Sequence, residues 1–144
     1  MKKFVSILVL AVLLVGMFSI SSGAAVKDTV VIEPLYNNSI SVTNNFVIEE
    51  GGIARLTVGY TGKFGKFTSA RITSKLQVQT SSGWADVDNG EESCEWVDES
   101  TNVIFTTTHT LEVSRGTYRA LITYELYGTG GVADVIERTN EYTY

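Results

Sequence analysis

Residues 111–127 read LEVSRGTYRALITYELY, and this stretch decides the fold. Tyr118, Ala120, Ile122, Tyr124 and Leu126 share one parity, with Arg119, Thr123 and Glu125 on the other. Alternation over nine residues is the signature of a half-buried strand, because successive strand side chains point to opposite faces. Before it, Ser114-Arg115-Gly116 breaks the pattern, and Leu111 and Val113 close an earlier strand in phase with Val103 and Phe105. A glycine two residues before a tyrosine at a strand start is the arrangement of a sandwich corner. There the tyrosine hydroxyl bonds back to backbone a few residues upstream. A plain hairpin turn is the rival reading.

Other strands are read outward from this one. Residues 53–60 alternate Ala54, Leu56, Val58 and Tyr60 against Arg55 and Thr57. Residues 69–79 place Ile72, Leu76 and Val78 on one face. A strand over 40–49 is interrupted by Asn44-Asn45, a short return starts at Trp84, and the last strand lies within 132–144. About seven short strands, with no 3.6-residue apolar pattern after residue 25, predict an all-β antiparallel sandwich of immunoglobulin-like type. Trp84 is expected to cap its core, since buried aromatics dominate small β cores, with an exposed tryptophan at a binding patch as the rival reading.

The chain opens with Met1-Lys2-Lys3, an apolar run from Phe4 to Val15, and the small residues Ser21-Ser22-Gly23-Ala24-Ala25. Basic start, apolar centre and small-residue end predict a signal helix cleaved after Ala25 or Ala24. The rival, an uncleaved anchor, needs a run of about 20 apolar residues. The expected organisation is a signal peptide over 1–25, an extended leader over 26–38 carrying the single proline, Pro34, and one sandwich domain over 39–144. Without Lys2 and Lys3, 9 basic residues stand against 16 acidic ones, a net charge near −7. That balance disfavours nucleic acid, which demands Lys/Arg density. With one cysteine, Cys94, no intramolecular disulfide can form, so the fold rests on its core. No lipid-attachment or sorting motif is read, so the expectation is a secreted protein, held at a cell wall non-covalently if at all, with no stable membrane insertion after cleavage.

Chemistry-bearing residues are few. The sole histidine, His109, shares parity with Phe105 and Leu111 and is read as structural. A Cys94–His109 nucleophile pair is disfavoured because Glu91, Glu92 and Glu95 raise the thiol pKa. No catalytic residues are assigned, no cofactor is expected, and the protein is read as no enzyme. Residues 86–99 hold seven acidic side chains. An EF-hand needs glycine sixth and glutamate twelfth; counted from Asp86, Gly90 falls fifth and Val97 twelfth. What remains is a weak calcium candidate of Asp86, Asp88 and Glu91, against a solvated acidic turn that discourages edge pairing.

The binding candidate is TGKFGKF, residues 61–67, where Lys63 and Lys66 alternate with Phe64 and Phe67. In a sandwich the loop after the second strand and the loop after the long tyrosine strand lie at one end, which brings Tyr127 into the set. The acidic segment is expected at the opposite end. The functional reading is recognition of a protein or cell-wall glycan or other anionic polymer by Lys63, Phe64, Lys66, Phe67 and Tyr127. The rival reading has both phenylalanines plugging the core.

The elements IEPLY (32–36), Gly52 to Val58, Leu76-Gln77, Gly83-Trp84, Gly116 to Arg119 and Tyr142 to Tyr144 occur in this order. In these the chain resembles small, uncharacterised exported proteins of Gram-positive, Clostridia-type bacteria. The resemblance implies an immunoglobulin- or fibronectin-III-like sandwich and export, and it transfers no catalytic residue. The acidic segment around Cys94 departs from that pattern. Three functions are therefore carried forward: a secreted binding or adhesion module, a secreted inhibitor or structural surface protein docking through a strand edge, and an accessory domain of a secreted enzyme system.

Overall fold

The computed structural model describes residues 36–87 and 94–144, within the compact unit Glu33–Tyr144. The signal segment and most of the leader lie outside the described residues, as do Asp88, Glu91 and Glu92. The described chain contains eight strands and no helix: β1 (Ser39–Glu49), β2 (Ile53–Gly62), β3 (Phe67–Thr80), β4 (Gly83–Asp86), β5 (Glu95–Ser100), β6 (Ile104–Glu112), β7 (Thr117–Gly128) and β8 (Asp134–Thr143).

They form two antiparallel sheets. One runs β1-β2-β6. The other runs β4-β3-β7-β8, with β5 also pairing β3. β3 is long enough to hold two partners on one edge, β5 along 70–75 and β4 along 77–80, with β7 on its other side. The sheets bury their inner faces against each other as a β-sandwich. Phe46, Ile48, Ala54, Leu56, Val58 and Tyr60 come from one sheet. Ile72, Leu76, Tyr118, Ala120, Ile122, Tyr124, Leu126 and Ile136 come from the other. The faces read from parity in β2, β3 and β7 are the buried ones.

Polar ties cross the interior. The Tyr124 hydroxyl donates to the Thr43 carbonyl at 2.8 Å, and the Tyr60 hydroxyl to the Asn102 carbonyl at 2.9 Å. Asn44 turns inward and its amide donates to the Asn140 side chain. β1 continues unbroken through Asn44-Asn45, paired with Val58 and Thr57 of β2, where the sequence suggested an interruption. At the corner, the Tyr118 hydroxyl donates to the Ser114 carbonyl at 2.9 Å, four residues upstream, so the aromatic is anchored as well as buried.

Three expectations are corrected. β5 occupies part of the segment read as an acidic turn: Cys94, Trp96, Asp98 and Ser100 alternate inward against outward Glu95, Val97 and Glu99. The charges had hidden that period. Nor do the described flanks of the acidic segment sit at the far end of the sandwich. Both are pinned at Leu76, whose carbonyl accepts from Val87 N and whose N–H donates to the Cys94 carbonyl. That places them along the edge of β3. Trp84 does not cap the core. It pairs with Gln79 on the outer face, where the Arg119 guanidinium lies 4.5 Å above its ring. A one-residue difference in parity puts it on the solvent side.

Candidate binding site

The antiparallel order collects β1's start, the β2–β3 loop, the β5–β6 turn and the β7–β8 loop at one end. The register fixes this: Ser39 faces Gly62, Thr61 faces Ile104, Phe67 faces Gly128 and Leu126 faces Asp134.

Asp134 is the hub of that end. It follows Gly131-Val132-Ala133 and is inward-facing with Ile136, and it is buried. One carboxylate oxygen accepts Asn37 N at 3.0 Å. The other accepts Asn38 N at 2.8 Å, Ser39 N at 2.9 Å and the Ser39 hydroxyl at 3.1 Å. A buried carboxylate is tolerated because backbone donors replace its water shell. Asn38 extends the network, its amide donating to the carbonyls of Leu126 at 3.0 Å and Val132 at 3.1 Å. Gly128 makes room for it: a Cβ there would lie 2.2 Å from the Asn38 side-chain oxygen. Sequence reasoning missed Asp134. Its only signal was a carboxylate sharing parity with Ile136 at a strand start.

The β2–β3 loop is held on this hub. Lys63 N donates to the Asn38 carbonyl at 2.8 Å, Lys66 N and Phe67 N to the Lys63 carbonyl, and Thr129 N to the Lys66 carbonyl at 2.8 Å. Gly65 takes a φ of 77°, a left-handed value open to glycine. The loop backbone is thereby fixed while its side chains stay outside.

The five candidate residues divide. Phe64 is 90% exposed at the tip. Lys63 and Lys66 flank it, also exposed, and neither belongs to an ion pair among the described residues. Phe67 turns inward, packed 5.3 Å from Tyr60 and over Gly62. It is a core plug, so the tip has one aromatic rather than two. Tyr127 is on the outer face and walls a cleft of about 580 Å³ with Ser69, Arg71, Glu99, Ser100 and Thr101. Its hydroxyl is 3.4 Å from the Glu125 carboxylate, and Arg71 is 3.9 Å from Glu99. Val132 and Ile104, both strongly exposed, belong to the same end and were not picked out from sequence.

The remaining candidates are placed elsewhere. Asp86 lies on β4 with both oxygens engaged, by the Gln77 amide at 2.8 Å and the Lys75 ammonium at 2.7 Å. The Gln77 bond first, then Lys75, hold its carboxyl below the usual range. Its proposed calcium partners Asp88 and Glu91 lie outside the described residues. His109 bonds Asp98 at 2.8 Å and stacks on Trp96 at 5.0 Å, half-buried where β6 meets β5. The groups it meets on β5 are therefore Asp98 and Trp96. Cys94 is buried in the core.

No family model matches this chain, and no curated protein matches it. Among solved structures it is similar to a Bordetella pertussis protein designated ApaA. The two are 16% identical, over 74% of this chain and 91% of that one, with a TM-score of 0.34.

Proposed function

We propose that this protein is an exported, non-catalytic binding module of immunoglobulin- or fibronectin-like type, which engages an anionic cell-wall polymer through the loop end of its sandwich. The observation that carries this reading is Phe64, almost wholly exposed between two lysines that form no ion pair among the described residues, on a loop whose backbone is tied down by hydrogen bonds. An apolar ring in water serves no folding purpose, and a preformed loop spares the ordering cost of binding. The lysines supply local positive charge on a chain of net charge −5, so an acidic polymer would be steered to this end. The Tyr127 cleft adds an aromatic wall, hydroxyls and a guanidinium of the kind that orient a sugar ring. The order β1-β2-β6 against β4-β3-β7-β8, with the Tyr118 anchor, supports the immunoglobulin-like assignment.

The test is co-sedimentation with purified Gram-positive cell walls, with and without their anionic polymers. Retention is expected with intact walls. It should fall at least tenfold for Phe64→Ser and for Lys63→Ala with Lys66→Ala, at unchanged melting temperature. Binding that survives all three substitutions would overturn the assignment of the site.

A further inference from the structure

Strand β6 ends its sheet, and the direction of its main chain can be read. The Val103 carbonyl accepts from Gly62 N, and Val113 N donates to the Gly52 carbonyl. In an antiparallel strand, the N–H and C=O of one residue point to the same side and alternate from residue to residue. Odd-numbered residues therefore bond β2. Ile104, Thr106, Thr108, Thr110 and Glu112 turn their main-chain groups to the outer edge, where no described strand pairs them.

Apart from Glu112 at its end, this edge lacks the features that usually block edge pairing. It is nine residues long with no proline, no lysine and no register shift against β2. The other edges differ. β1 carries a bulge between Ser39 and Ser41, β4 has four residues, β5 carries Glu95, Asp98 and Glu99, and β8 carries Glu137, Arg138 and Glu141.

We propose that β6 pairs antiparallel with β6 of a second copy, about a two-fold axis at Thr108. Among two-fold registers, only this centre lets all five outward-turned residues bond. Thr108 meets its own equivalent, Thr106 meets Thr110, and Ile104 meets Glu112. No like charges are opposed, and the threonine pairs are favourable cross-strand neighbours. On the inner parity, half-buried Phe105 faces Leu111 and Thr107 faces His109, so apolar side chains left partly open in one copy cover each other. The strand is thus self-complementary on both faces, as an isologous interface requires. Antiparallel pairing points the two loop ends in opposite directions, making a bivalent bridge. The pairing itself is independent of what the loop end binds.

Sedimentation velocity over a range of protein concentrations tests this. A dimer is expected, tightening with ionic strength because salt screens the repulsion between two acidic copies. Thr106→Lys with Thr110→Lys places like charges opposite each other at two points and should weaken dimerisation at least tenfold. Thr106→Lys with Thr110→Glu places opposite charges together in this register and should restore it. Both side chains are on the exposed face, and circular dichroism and melting temperature check that each variant is folded. A monomer at every concentration and salt would overturn the proposal. So would a dimer that persists in the double-lysine variant, or one lost equally in both variants.

Discussion

Two aromatic segments beside glycines, Lys63-Phe64-Gly65-Lys66-Phe67 and Gly116-Thr117-Tyr118, look alike in sequence and lie at opposite ends of the sandwich. At the corner, Tyr118 goes in and its hydroxyl is anchored on Ser114. At the loop end, Phe67 goes in and Phe64 stays out. Composition does not separate them. What separates them is whether the residue continues the inward face of a strand with a filled core beneath it. Tyr118 begins β7 in phase with Ala120 and Ile122. Phe67 begins β3 and packs beneath the Tyr60 ring. Phe64 sits in the turn between β2 and β3 and has no inner face to join.

The sharpest way to break this contrast is to remove what holds the loop end. Asp134→Ala leaves several buried donors unpaired, and a loss of about 3 kcal/mol or more is expected by denaturant unfolding. A loss below about 1 kcal/mol would mean the Asp134 network does not organise that end. Next in size is Phe67→Ser, expected to cost about 2 kcal/mol for a half-buried ring. Phe64→Ser should change stability by less than about 0.5 kcal/mol, as an exposed substitution does. Equal effects from the two phenylalanines would erase the distinction between plug and tip.

The tyrosines sharpen the other side. Burial pushes the Tyr124 phenol up to about 12, against about 10 in an unfolded chain. A folded pKa raised above the unfolded one means the contribution is whole below about pH 10 and lost as pH climbs through about 12, on the order of 2 kcal/mol. Urea unfolding between these pH values should show the loss in the wild type and much less of it in Tyr124→Phe. Smaller than the Tyr124 effect is that of Tyr118→Phe, which removes one partly buried hydrogen bond and should cost about 1 kcal/mol. An unchanged melting temperature would show that the Ser114 bond contributes nothing at the corner.

Much of the scaffold was legible because alternation is a local signal. Ala54 to Tyr60 and Tyr118 to Leu126 could be assigned to inner faces from parity alone. β5 was not legible, since its inward Trp96 and Asp98 are interleaved with glutamates that read as a solvated turn. Trp84 was misassigned because a four-residue strand carries too little pattern to fix its face. Only its pairing with Gln79 does so. Within the site, Lys63, Phe64 and Lys66 were visible as a motif. Asp134 was not, because its partners, Asn37 to Ser39, are more than ninety residues away in sequence.

The sequence by itself determined the all-β class, the inner faces of the long strands and the tyrosine at the corner, since these follow from a two-residue period within one strand. Tertiary structure alone decided which phenylalanine stays in water, which edge no described strand covers and which carboxylate is buried. Those outcomes depend on neighbours distant in the chain, and no local pattern records which distant donor or ring will arrive.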